Sequence, residues 1–513
     1  MSSSLTPGSA AWCEVQTARF RLVRRPPATP RRPHWSAAPG HPVSYRWRPS
    51  LTGIRALTEG SVNHSLLNLA VPTLFANVLL SVNGSVNSIW VGHYMGEAAL
   101  TATSNANLLM QMVMGAAFGT VMVATVIVGQ RVGAKEMASA RDVVRTSAAL
   151  FVSASAVIAA IGLTFSPLVL RAMNTPMPSI PFAITYMRVL CLAVPPAYLY
   201  AFLIGVLRSV GDAKTPFCFM LLSIFLDVAL NPVLIFGLGP APQLGIAGSA
   251  LASLMAQVIS LAAMVTYLYR RHHLLCLRNE ELWPLKVDRS LLKVLVCKGI
   301  PMSGQLLVIS LSGVLMISIV NRLGVDAAAG FGAALQLWNY AQMPALAVGE
   351  GVCAMAAQNV GAGQWDRVNK IAEVGVVMSL ALTGAVIVGI DSMGTHAFAP
   401  FLPTRSVALP LAAHLNSIAS SSYCFFAIST ILFAVERSAG VVTVPLAIMI
   451  TTLLLVRYAT AAVFLGTFGA GAIWWSFPFS AAFAATLAAI HYKFGSWRCP
   501  HASPKQSLLQ QKW

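Results

Sequence analysis

Twelve apolar stretches, each roughly 20 residues long, govern what this chain can fold into. They are centred near residues 79, 114, 156, 196, 226, 257, 308, 343, 384, 422, 453 and 481. A helix of that length, rising 1.5 Å per residue, crosses a hydrocarbon core. Runs such as 147–165 and 441–456 are apolar without in/out alternation, which excludes the strands of a membrane barrel. The composition agrees: 57% of the residues are hydrophobic and 10% charged, against about 25% charged in a soluble domain. The eight cysteines, at 13, 191, 218, 276, 297, 353, 424 and 499, include no CxxC pair and so give no disulfide or zinc framework. An all-α integral membrane protein with twelve transmembrane helices is expected.

A formal net charge of +18 resembles a nucleic-acid signature until the charges are sorted by position. Of the 34 Lys and Arg, 29 fall in the segments on one side of the spans, counted from the amino end. The opposite loops hold Arg171, Arg322 and Arg405, and Arg188 and Arg457 lie within spans. Positive residues stay in the cytoplasm, so both termini are expected there, no nucleic acid is expected as partner, and membrane lipids are. Residues 1–60, rich in Arg, Pro and Ser, are expected to be a separate disordered tail. Two readings of it stay open: a segment that holds anionic headgroups, or sequence upstream of the true start. It has no signal-peptide core, and its prolines spoil a presequence helix.

The chain repeats itself. A shift of 228 or 229 residues superposes Pro72 on Pro301, Gln130-x-Val-Gly-Ala on Gln358-x-Val-Gly-Ala, Arg208 on Arg437, Gly211 on Gly440 and Pro216 on Pro445. Six spans per half make the repeats parallel, a transporter design with the path between halves. The expected divisions are 61–275 for the first six-helix bundle, 276–494 for the second, joined by the loop near 270–290, and a cytoplasmic tail at 495–513. The loop after the second helix and its copy suit two bundles that rock as units. Pro72, Pro195, Pro196, Pro232, Pro301 and Pro344 offer kinks.

Several stretches together resemble the multidrug and toxic compound extrusion (MATE) family. They are Gly92-His-Tyr-Met-Gly-Glu-Ala-Ala-Leu-Thr-Ala, Gly129-Gln-Arg-Val-Gly-Ala, Arg208-Ser-Val-Gly-Asp-Ala-Lys-Thr-Pro, Leu230-Asn-Pro-Val-Leu-Ile-Phe-Gly and Ala357-Gln-Asn-Val-Gly-Ala-Gly-Gln-Trp-Asp-Arg. Each is weak alone; their order, spacing and twofold recurrence over about 61–494 carry the resemblance. It implies a bacterial inner-membrane antiporter of two six-helix bundles that expels organic cations in exchange for protons or sodium ions. A monomer is expected, with no cofactor beyond that coupling ion and no metal. A lipid-linked precursor flippase of the same superfamily is the alternative. No HExxH, paired-Asp or GxxxxGK[ST] motif supports an enzyme or an ATP-driven pump.

Ionisable groups inside spans cost about 2.5–3.5 kcal/mol each and mark function by default. Asp227 is the deepest acid, about 18 Å along its helix from Thr215. Asn231 follows at i+4 on the same face, and Pro232 leaves the carbonyl of Val228 without its helical donor. Asn83 and Asn87, and Asn107 and Gln111, repeat the i, i+4 spacing on the first two helices. By the resemblance, Asn87 stands where many relatives carry an ion-binding aspartate, and the family's Asn-x-x-x-Asp-Pro appears here with the acid moved by one turn. The expected coupling site is therefore Asp227 with Asn83, Asn87 and Asn231. An Arg188–Asp227 ion pair is the competing account. Glu350 and Asp391, nearer span ends, are expected to be structural or gating. A second cation site is not expected, since Pro301 to Leu311 holds Gln305 as its one long polar residue. An aromatic and Met-lined substrate cleft is expected from Gln111, Met114, Gln336, Trp338, Tyr340 and Met343, with Met110 beside them.

Overall fold

The computed structural model describes residues 57–95, 97–172, 177–237, 242–273, 287–402 and 406–498. Most of the amino-terminal tail, most of the 495–513 tail and the middle of the 270–290 loop lie outside them. The first half contributes α1 (Val62–Met95), α2 (Glu97–Gly133), α3 (Met137–Ala172), α4 (Ile180–Ser209), α5 (Lys214–Phe236) and α6 (Ile246–Arg270). The second contributes α7 (Arg289–Val320), α8 (Val325–Gly361) and α9 (Trp365–Met393). It continues with α10, broken into α10a (Ala408–Ala419) and α10b (Ser421–Ser438), then α11 (Thr443–Phe468) and α12 (Ala470–Phe494). No strand occurs among the described residues.

Ten of these helices are long and apolar enough to cross a membrane, and α10a with α10b makes an eleventh across a 45° bend. The remaining helix, α8, spans 37 residues but carries too many Gly, Asn and Gln, with Asp326 and Glu350, to match the others in hydropathy. Its position explains this. It packs on α1 and α2 of the first half and on α9 and α10b of its own, so little of it must satisfy lipid. Small residues at such crossings let backbones approach, which drives association where the hydrophobic effect is absent.

Within each half the strong pairings are local: α3 with α4, α5 with α6, α2 with α4, and likewise α8 with α9, α10b with α12, α11 with α12. The halves meet where α2 packs on α7 and α8, and α1 on α8. At the end where α2 and α8 finish, the contact is two-fold symmetric. Gln130 Nε2 donates to the carbonyl of Ser438 at 2.6 Å and Gln358 Nε2 donates to that of Ser209 at 2.7 Å. A methyl group on Gly133 would collide with the Gln358 carbonyl, and one on Gly361 with that of Gln130. Glycine is required here by close approach of two backbones. The starts of α1 and α9 and the end of α12 gather at the same end, since Arg367 donates to the carbonyls of Glu59 and Gly60 at 3.0 Å and Tyr492 donates to Asn369 at 3.1 Å. A chain of alternating spans whose twelfth helix ends beside the start of its first has an even number of crossings.

Candidate functional site

Asp227 is buried between α1, α5 and α6, 5% exposed. Asn83 Nδ2 donates to its Oδ2 at 2.8 Å, Ser253 Oγ donates to its Oδ1 at 2.8 Å, and Asn231 Nδ2 lies 3.3 Å from Oδ1 and 2.9 Å from the Asp227 carbonyl. Each contact follows from helix periodicity. Asp227 and Asn231 are one turn apart, and Asn83 faces them from α1 because α1 packs along α5. The Oδ1 of Asn231 is buried without a hydrogen-bond partner among the described residues. Asn87, one turn from Asn83, accepts a bond from Ser249 Oγ at 2.7 Å.

The four residues expected from sequence thus lie along one seam, three of them on the carboxylate. Ser249 and Ser253 were not anticipated, although they too are spaced i, i+4 on α6 and repeat the pattern of the two asparagine pairs. The Arg188 pairing is not formed: Arg188 is exposed on α4, while the neighbouring Tyr186 and Met187 turn inward. Among the described residues no ion pair joins it to Asp227, whose bonds all come from neutral groups. Asn107 accepts a long bond, 3.4 Å, from Tyr186.

A cavity of about 490 Å³ opens in the second half between α7, α8, α10b, α11 and α12, with Phe118 and Met122 of α2 on one wall. Aromatic side chains dominate one side. Trp338 meets Phe477 at 4.4 Å between centroids and Tyr423 at 5.7 Å, and Phe331 lies 6.0 Å from Phe477. Of the six residues expected to form the cleft, Trp338 lines this cavity. Gln111, Met114, Gln336, Tyr340 and Met343 do not. On α8 the lining positions are Phe331, Leu335, Trp338, Asn339, Gln342, Leu346, Gly349 and Glu350, a single helical face; Gln336, Tyr340 and Met343 belong to another. Residue type suggested them, but helical phase turns them away. Gln111 is exposed on α2, and Met114 packs with Met110 against the first-half core.

Among the described residues, the charged ones that line the cavity are Glu350, Arg437 and Arg457. Glu350 forms an ion pair with Arg208 of α4, joining the two halves. Arg457 donates from Nε to Ser480 Oγ at 2.9 Å, and its guanidinium lies 4.6 Å from the centre of the Phe477 ring. Behind the wall, fully buried Glu436 meets His491 Nδ1 at 2.7 Å. Asp391 accepts from Asn416 at 2.7 Å near the opposite end of α9. Gln305 is tied to the Val442 carbonyl at 3.3 Å. Among the described residues no group of three or more His, Cys, Asp or Glu gathers as metal ligands would.

The MatE family model matches this chain twice, over residues 72–233 and 301–463, one match per half and the second one residue longer. The Bacillus subtilis (strain 168) protein described as probable multidrug resistance protein YoeA is 34% identical over 393 residues, covering 77% of this chain and 85% of its own. Probable multidrug resistance protein YpnP of the same organism is 27% identical over 441 residues, covering 86% and 97%. Among solved structures, an outward-facing multidrug resistance MATE transporter of the MOP superfamily superposes with a TM-score of 0.79 over 86% of this chain and 97% of its own, at 19% identity.

Proposed function

The chain belongs to the MatE family of multidrug and toxic compound extrusion transporters, and from that premise we propose a secondary antiporter that uses Asp227 as its coupling group. It is a multi-pass membrane transporter of the multidrug-export type. In the proposed reading it sits as a monomer in the bacterial plasma membrane with both termini in the cytoplasm, its six-helix units divided within the 270–290 loop. It exports organic compounds, cations among them, in exchange for protons or sodium ions.

The observation that carries this reading is a buried carboxylate at mid-span held, among the described residues, by neutral donors. In lipid such a charge is costly without a counter-ion, so a proton or a small cation completes the site. Two carboxylate oxygens, the Asp227 carbonyl and the unpartnered Asn231 Oδ1 form an oxygen cluster suited to either. With a proton bound, the carboxyl becomes a donor and a turn of the Asn231 amide presents Oδ1 to it. Occupancy then alters how α1, α5 and α6 hold together, which is the differential contact that alternating access needs. The glutamine latches at the α2 and α8 ends close the positively charged, cytoplasmic face in this arrangement.

The test is efflux of ethidium from cells or uptake into everted vesicles with ΔpH and ΔpNa imposed separately. Asp227→Asn is expected to lower gradient-driven transport by about tenfold or more, the size of a typical coupling free energy. Transport by this variant at the wild-type rate under both gradients overturns the assignment.

A further inference from the structure

We propose that the cavity of the second half binds planar aromatic organic anions, with Arg457 as the group that selects their charge. As a statement about cargo this rests on the exporter reading above; as a statement about binding it stands on the geometry of the cavity.

The internal repeat shows what this cavity corresponds to. At the start of α5 and α11 the copies run 229 residues apart: Lys214 and Thr443 open the helices, and Pro216 falls on Pro445. The π-helical turn Ile450–Val456 then adds one residue to α11. Such turns are single-residue insertions that recur at functional sites. Beyond it the copies are 230 apart, and Arg457 takes the place of Asp227. For α6 and α12 the offset is 224, fixed by Gly245 (φ 56, ψ −130) and Gly469 (φ 55, ψ −138), which open the two helices in the same conformation. Phe477 therefore stands for Ser253. On α7, Ser312 replaces Asn83 and Met316 replaces Asn87, and on α11 Ala461 replaces Asn231. Ser312, Met316, Arg457 and Phe477 all line the cavity. It is the counterpart of the Asp227 site, with a guanidinium where the carboxylate was and a phenylalanine ring where Ser253 was.

The polarity of the wall points the same way. Arg457 has a hydroxyl and a ring as its neighbours, and among the described residues no carboxylate lies within ion-pair range of it. Glu350, the acid in the wall, is already paired with Arg208, and Arg437, the other guanidinium there, is offset by the neighbouring Glu350 and Glu436, which leaves Arg457 as the uncompensated charge of the wall. An anionic ligand pairs with the Arg457 guanidinium, while a cation meets its repulsion. A planar guanidinium matches carboxylate, sulfonate or phosphate through paired N–H bonds. Four rings offer stacking surface for a flat ligand body, and about 490 Å³ accommodates a drug-sized molecule.

Fluorescein and rhodamine 123 share a xanthene ring system and carry opposite charge at neutral pH. Their binding to the purified full-length protein in detergent, read by fluorescence anisotropy, tests the proposal without any gradient. Wild type is expected to bind fluorescein about tenfold or more tightly than rhodamine 123, and Arg457→Gln to lose that factor for fluorescein alone, the worth of one charge-assisted contact. Wild type that fails to prefer fluorescein overturns the proposal, with no variant needed; so does folded Arg457→Gln that binds fluorescein as wild type does. Selective binding with no gradient-driven transport would defeat the exporter reading and leave the anion site standing. Transport without charge-selective binding would do the reverse.

Discussion

Asp227 and Arg457 each lie about 20 Å along their helices from the latched end, deep enough that neither head group reaches water by snorkelling. Their surroundings differ in kind: a carboxylate ringed by small donors, a guanidinium against an aromatic wall. Ser253→Ala removes one donor from a charged acceptor, an interaction of about 1.5–3 kcal/mol. Gradient-driven ethidium transport in everted vesicles is expected to fall roughly tenfold by that estimate, and Ser253→Thr, which keeps the hydroxyl, to retain most of it. Wild-type rates in the alanine variant would remove Ser253 from the site. The asparagines were legible because amides at i, i+4 beside an intramembrane acid are uncommon and share a face. Ser253 was not, since a serine in a membrane helix ordinarily bonds its own preceding turn, as Ser209 and Ser438 do here. Five of the six expected cleft residues lie off this cavity for another reason. Gln336 and Tyr340 have the right chemistry, but only the phase of α8 against its neighbours decides which residues look into the cavity, and tertiary packing sets that phase.

At the scale of helices, all twelve spans were legible from apolar length, including the less apolar α8, which the repeat requires. The π turn in α11 was not. Ile-Thr-Thr-Leu-Leu-Leu-Val reads as ordinary membrane helix, and an added residue is visible only against the other copy. Deleting Leu454 is expected to restore α-helical register and turn Arg457 by about 100° away from the cavity. Fluorescein binding would then fall to the Arg457→Gln level in the anisotropy measurement; undiminished binding would mean that the π turn does not aim Arg457. The start of α7 gives a more local prediction. Asp288 caps it, accepting from the Ser290 amide at 2.8 Å, the Ser290 hydroxyl at 2.6 Å and the Leu291 amide at 3.4 Å. These bonds, the Ser290 hydroxyl first, hold its carboxyl below the usual carboxylate range. The stabilisation is therefore present above that range and lost as pH falls through the lowered value. Asp288→Ala is expected to cost about 1 kcal/mol of local helix stability, seen as faster hydrogen exchange in the first turn of α7, with wild type approaching the same rate in acid.

For the whole molecule, the two latches are the testable element. Gln130 and Gln358 each cross to the other half and bond the carbonyl that ends a helix there, so every loss on one side has a counterpart on the other. The recurrence of Gln-x-Val-Gly was legible as a repeat, but not as a clasp, because a self-comparison shows which segments are alike and not that the copies touch. A variant keeping Cys353 alone among the eight cysteines, buried on α8 at 4% exposure, reports the closure. Adding Gln130→Ala and Gln358→Ala removes three hydrogen bonds, the two latches and the one that Gln358 Oε1 accepts from the Leu57 amide, each about 0.5–1.5 kcal/mol, and is expected to speed maleimide labelling of Cys353 roughly tenfold. Labelling at the starting rate would place the seal in the glycine crossing instead. The extra residue in α11 has a consequence of another order. A duplicated gene half that must serve a new ligand need not rebuild its helices: inserting a single codon rotates everything downstream by about one side chain, so a whole face is exchanged in one mutational event. Charge inversion between two copies of one ancestral segment then lies within reach of ordinary replication slippage, while the scaffold on which both copies depend stays as it was.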